Sequence, residues 1–234
     1  MTTFTRSIAL IAAILLPVVA QAVEPVKRID IEVQPFYRAA RTATERPQVA
    51  VGGSISGPLS STRREDIAAA RDAIAADPKL MTPMTLMVLA IRLYDVGLRD
   101  DAVFWFYAAK DRYITLSDVL DVEASHLGQA DDAVRAFATL AGPVINSYAF
   151  CDLARQKELR LKALAWVEQN PYGAIFMDRF VAKPGDRAEN LKRALHEARL
   201  RLEKEQAYFD DAGNRDAFYA KRKQNNVEEK FCWQ

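Results

Sequence analysis

The residues of this 234-residue chain able to do chemistry are few and scattered. His126 and His196 lie 70 positions apart, and neither has a carboxylate or cysteine at the spacing of a metal ligand set, so they predict no metal centre. Each reads as a surface or capping residue. Gly53-Ser54-Ile55-Ser56-Gly57 looks like a nucleophile elbow, but GxSxG needs the serine where Ile55 stands. Gly52-Gly53 lacks both the GK[ST] ending and the GxGxxG spacing of a phosphate cradle. The stretch therefore reads as loop. The acid pairs Glu65-Asp66, Asp100-Asp101, Asp131-Asp132 and Asp210-Asp211 fall at helix starts or turns, where negative charge favours a helix N-terminus. Acid pairs can also assemble across a fold for hydrolysis, so that class stays open. No catalytic residue and no cofactor is assigned.

Cys151 and Cys232 are the two cysteines. Neither stands in a CxxC or beside a histidine, which gives a reactive thiol or metal pair no local support. In an oxidising compartment an even pair far apart in sequence predicts a disulfide. The N-terminus points to such a compartment. Over residues 1–22, Arg6 precedes an apolar run over 8–20, and Ala20-Gln21-Ala22 gives the small-x-small pattern of a signal peptidase site. The run is interrupted by Pro17 and is shorter than the about 20 residues a membrane span needs. The reading is thus a cleaved signal peptide, a mature chain from Val23, and a bacterial periplasmic or secreted location. No cysteine follows the cleavage site for lipid attachment, and no stable membrane insertion is expected after cleavage.

Charge and composition narrow the partners. There are 32 Lys+Arg against 31 Asp+Glu, and loss of Arg6 with the leader brings the two to parity. Such balance argues against nucleic acid or an anionic membrane as the main target. Half of the residues are apolar and glycine is scarce, which favours a helical core. Residues 23–234 are read as a single helical domain with a loop-rich N-terminal part over 23–61.

The elements follow from start and stop signals. Residues 26–33 suit a short extended stretch, and Pro35 opens a short helix over 36–44 ahead of Pro47. Thr62 with Glu65 makes a capping box for a helix over 62–76, which Asp77-Pro78 ends. Thr82-Pro83 starts the next helix with an N-cap and a proline at its first position, and Gly97 stops it. A second helix runs through about Asp111. Further helices are predicted over 152–169, over 187–208 with a stripe of Leu191, Leu195, Ala198 and Leu202, and over 214–223.

Leu86, Leu89, Ala90 and Leu93 form one stripe on the helix after Thr82, and Ala102, Phe106 and Ala109 form a matching stripe on the next. Small residues let the backbones approach, and Phe106 fills the gap. This spacing resembles the tetratricopeptide (TPR) and Sel1-like helical-repeat families. Leu86, Ala90 and Leu93 replace the usual tryptophan, glycine and tyrosine, and Ile114 stands where a closing proline is common. A fainter copy runs through Leu120, Ala124, Gly128, Ala133, Phe137 and Leu140, with polar Asp121 at a core position. The resemblance implies an all-α, compact domain of antiparallel helical hairpins that works by contact.

On that geometry the inner face of the first helix presents Met84, Met87, Val88, Ile91, Tyr94 and Asp95. Either the chain's own helices cover this face, or it is an open groove for a protein segment. Trp105 and Tyr107 flank Phe106 and cannot both share its stripe, so one is expected to pack on a neighbour and the other to be exposed. Three functions remain: an exported non-catalytic protein that binds an unidentified protein partner, an immunity-type inhibitor of a delivered toxin, or an envelope hydrolase whose site the sequence hides.

Overall fold

This computed structural model describes residues 23–31, the backbone of 35–38 and 48–50, and residues 55–233. The predicted leader over 1–22, residues 32–33 of the predicted extended stretch, the predicted loop at Gly52-Gly53-Ser54 and most of the helix predicted over 36–44 lie outside the described residues. Where that helix was expected to begin, the chain is instead extended: strand β1 (Pro35–Arg38) pairs antiparallel with β2 (Gln48–Ala50), Pro35 opposite Ala50. A nine-residue helix without a cap is marginal in water, and Phe36-Tyr37 suit a strand better.

The helices then follow in order. Helix α1 (Ser56–Ser60) forms within the stretch read as loop and buries Leu59. Helix α2 (Arg64–Ala76) starts after Arg63, so the Thr62/Glu65 capping box does not form. Instead the Ser61 hydroxyl accepts from Arg63 N–H and donates to Asp66. Helix α3 (Pro83–Asp95) is capped as expected, with Thr85 N–H donating to Thr82 Oγ1 at 3.0 Å. Gly97 then turns the chain with φ +79°, a left-handed conformation that glycine adopts at little cost.

Helix α4 (Arg99–Val119) runs well past Asp111, because Arg112, Thr115 and Val119 extend its buried side. The fainter second repeat is not built. Leu120 pairs with Ala182 in an isolated antiparallel bridge, and its flanking backbone groups bond Val181 and Lys183. Residues 121–127 are non-helical, so the first helix of that copy is absent. Ala133, Phe137 and Leu140 fall on one long helix, α5 (Gly128–Ala149), with Leu140 exposed.

Asp152 caps α6 (Leu153–Gln169), and a 3-10 turn over Gly173–Phe176 follows. Gly173 sits against Lys79, where a Cβ would come within 3.1 Å of that residue's backbone oxygen. Asp186 caps α7 (Arg187–Asp210), and Asp211 caps α8 (Ala212–Gln224). Helix α9 (Val227–Phe231) leads to the Cys151–Cys232 disulfide, in agreement with the sequence.

The core is centred on α3 and α4. Leu86, Leu89, Ala90, Leu93, Ala102, Phe106 and Ala109 are all buried between them. α2 and α5 cover α3, while α6 and α7 cover α4. Arg112 is a fully buried pin: it donates to the carbonyls of Pro78 and Met81 before α3 and of Asn170 after α6. Among the described residues no helix is long and apolar enough to cross a membrane.

Candidate functional site

The inner face of α3 is closed. Met87, Val88, Ile91 and Tyr94 are buried, Met84 is half-buried at the rim, and the Asp95 side chain is 1% exposed. Leu59 of α1 and Ile67, Ala70 and Ile74 of α2 belong to the same apolar cluster. The groove reading of this face is therefore corrected, since so apolar a surface gains by packing under the chain's own helices. Trp105 and Tyr107 are both buried, against the expectation that one is exposed. Trp105 packs edge-on to Trp166 at 5.0 Å, while Tyr107 donates to Asn146 and accepts from Gln156. α4 is enclosed on several sides, so two neighbouring positions both find partners.

The C-terminal end of α3 is sealed by the two ends of the described chain. Tyr94 Oη donates to Val26 O at 2.9 Å, and Asp95 accepts from Ile29 N–H at 2.6 Å. Val26 N–H donates to Lys230 O at 2.7 Å, and Trp233 Nε1 donates to Val26 O. Arg99 lies between the rings of Trp233 and Tyr148, 4.0 and 4.5 Å from their centroids, and donates to Trp233 O. Burial raises the Asp95 carboxyl above its ordinary value, only partly offset by the N–H groups of Ile29 and Asp30 and by Arg92.

A second polar cluster lies inside, between α4, α6 and α7. Arg160 makes a two-pronged pair with Asp111, and Gln156 bonds both Tyr107 and Glu205. Burial pulls the Arg160 guanidinium down, and Asp111 more than restores it. Lys110 is lowered by burial and by Arg160. Arg160, Asp111, Gln156, Tyr107 and Glu205 satisfy one another, as charged and polar groups held inside a fold must. Among the described residues no group of His, Cys, Asp and Glu is arranged to hold a metal ion.

What does open to the surface is a cleft of about 390 Å³ beside the N-terminal end of α3. Pro83 and Met84 form one wall, Tyr113 and Leu116 of α4 another, the first turns of α5 a third, and Tyr172 and Phe180 close it. Its lining is mainly apolar, with His126 and Asp131 as the ionisable groups beside Tyr113 and Tyr172. Tyr113 Oη donates to Asp131, which also accepts from Arg135 Nε at 2.8 Å. Burial pushes the Asp131 carboxyl up, but the Tyr113 and Arg135 bonds outweigh it and hold the group below its ordinary range. Burial and the Asp131 carboxylate together push the Tyr113 phenol up to about 12.

The sequence reading missed this site. Of its members the sequence singles out Thr82, Pro83, Met84, His126, Asp131 and Ala133, each for another role. Tyr113, Tyr172 and Phe180 come from three segments that only the fold brings together. His196 is elsewhere, in a shallow depression between α6 and α7 with Glu168, Lys192 and Arg199.

No family model matches the sequence, and no solved structure matches it. An uncharacterized protein of Haemophilus influenzae is 34% identical over 210 residues, which cover 90% of this chain and 81% of that protein. At that identity and coverage, the chain belongs to the same family as this Haemophilus influenzae protein.

Proposed function

We propose that the protein is exported to the bacterial periplasm, loses residues 1–22 there, and works by binding rather than by catalysis. The observation that carries the location is the Cys151–Cys232 disulfide, because such bonds persist in oxidising compartments and are rare in the cytosol. The small-x-small ending at Ala20-Gln21-Ala22 supports the same reading. For the scaffold, the burial of all seven residues from Leu86 to Ala109 supports a hairpin of the TPR and Sel1-like kind, used once as the centre of a domain. For the activity, the apolar cleft between α3, α4 and α5 replaces the closed α3 face as the binding seat, with a protein partner still the leading occupant.

The location is tested by expressing the full chain with its own leader in a bacterium and fractionating the cells. Periplasmic protein beginning at Val23, with no thiol open to alkylation until it is reduced, is the expected result. A cytosolic chain beginning at Met1 with two free thiols overturns the reading.

A further inference from the structure

The cleft beside α3 carries a more specific chemistry than apolarity. It has one carboxylate, Asp131, in its wall, and the rings of Tyr113, Tyr172 and Phe180 line it. Aromatic faces around a carboxylate recognise an organic cation, the rings through their negative faces and the acid through a charge-assisted hydrogen bond. The chain itself displays the match. Arg135, largely exposed on α5, places its guanidinium 5.6 Å from the Tyr113 ring centroid and bonds the same Asp131 carboxylate. That pair spans one helical turn and its Arg135 partner is largely exposed, so another cation can take the guanidinium's place at Asp131.

We propose that this cleft binds an organic ammonium carried on an apolar body, an alkyl- or arylalkylamine, with Asp131 taking the ammonium and the apolar part lying against Met84, Tyr172 and Phe180. The inference rests on the cleft being the binding seat and is independent of export. Neutral and anionic molecules of the same shape fill the apolar part equally well. They differ at Asp131, where an alcohol makes an ordinary hydrogen bond and a carboxylate meets like charge.

Titration calorimetry on the oxidised protein with 4-phenylbutylamine, 4-phenylbutan-1-ol and 4-phenylbutyrate separates these cases. The amine is expected to bind about tenfold more tightly than the alcohol, with the carboxylate weakest. Asp131→Asn should remove that preference and leave alcohol binding unchanged. Arg135→Gln should strengthen amine binding severalfold by removing the internal competitor, an effect that a merely structural Arg135 would not produce. Ala133→Trp should block all three probes while the helical circular dichroism is retained. Equal binding of amine and alcohol, tighter binding of the carboxylate, or an amine affinity indifferent to Asp131→Asn overturns the cation assignment. Binding of none of the probes overturns the ammonium inference without touching the reading of the cleft as a seat for a protein.

Discussion

Asp95 is a carboxylate out of water whose oxygens meet the backbone N–H groups of Ile29 and Asp30 and the Arg92 side chain. Its folded pKa lies above the ordinary 3.8 expected for the unfolded chain. Below 3.8 both states hold the proton. As pH rises from there through the folded value, the folded state alone retains it, so this group's contribution to stability falls across that window. Asp95→Asn keeps an acceptor for Ile29 and has no proton to lose. The difference in unfolding free energy between wild type and variant, followed by denaturant titration at a series of pH values, should therefore shift in the variant's favour as pH rises, and a flat difference would refute the assignment. At this scale the sequence was a partial guide. Leu86, Leu89, Leu93 and Phe106 announce their burial by spacing alone. Asp95 and Tyr94 do not, because the backbone groups they bond, at Ile29 and Val26, lie more than 60 residues away.

Elements were legible where a local signal sets them. Thr82-Pro83 and Asp77-Pro78 act through their own backbone geometry, and both boundaries stand as read. The end of α4 and the turn over 121–127 were not legible, since they depend on Leu120 meeting Ala182 across the fold. Phe180, two residues before that bridge, lines the same cleft as Tyr113. For the hairpin, Phe106 is the residue whose removal leaves the largest void between α3 and α4. Phe106→Ala should cost about 3 to 5 kcal/mol of unfolding free energy, while Gly97→Ala, forced into a left-handed turn, should cost about 1 to 2 kcal/mol. Urea midpoints measure both, with the slope unchanged if the unfolded ensembles are alike.

For the whole molecule, the disulfide spans 81 residues and holds the tail on which the N-terminal segment rests. In the chain-entropy account a loop of that length is worth about 4 to 5 kcal/mol. Replacing both cysteines with alanine should lower stability by that order. Hydrogen exchange should rise first at Val26 and Ile29, whose N–H groups depend on the tail and on Asp95, before it rises in α3 and α4. Uniformly faster exchange across the chain would argue that the bond supports the core generally.

The meeting of Val26 with Lys230 and Trp233 also determines how the molecule carries mechanical load. Tension applied through its two ends enters at one corner, where it must first part the Val26 hydrogen bonds. Beyond them the covalent path from the tail jumps through Cys232 to Cys151, so the 80 residues between, with α6 to α9, are shunted out of the line of force. A pull therefore tests the chain up to Cys151, α1 to α5, and the third of the chain behind the bond stays slack.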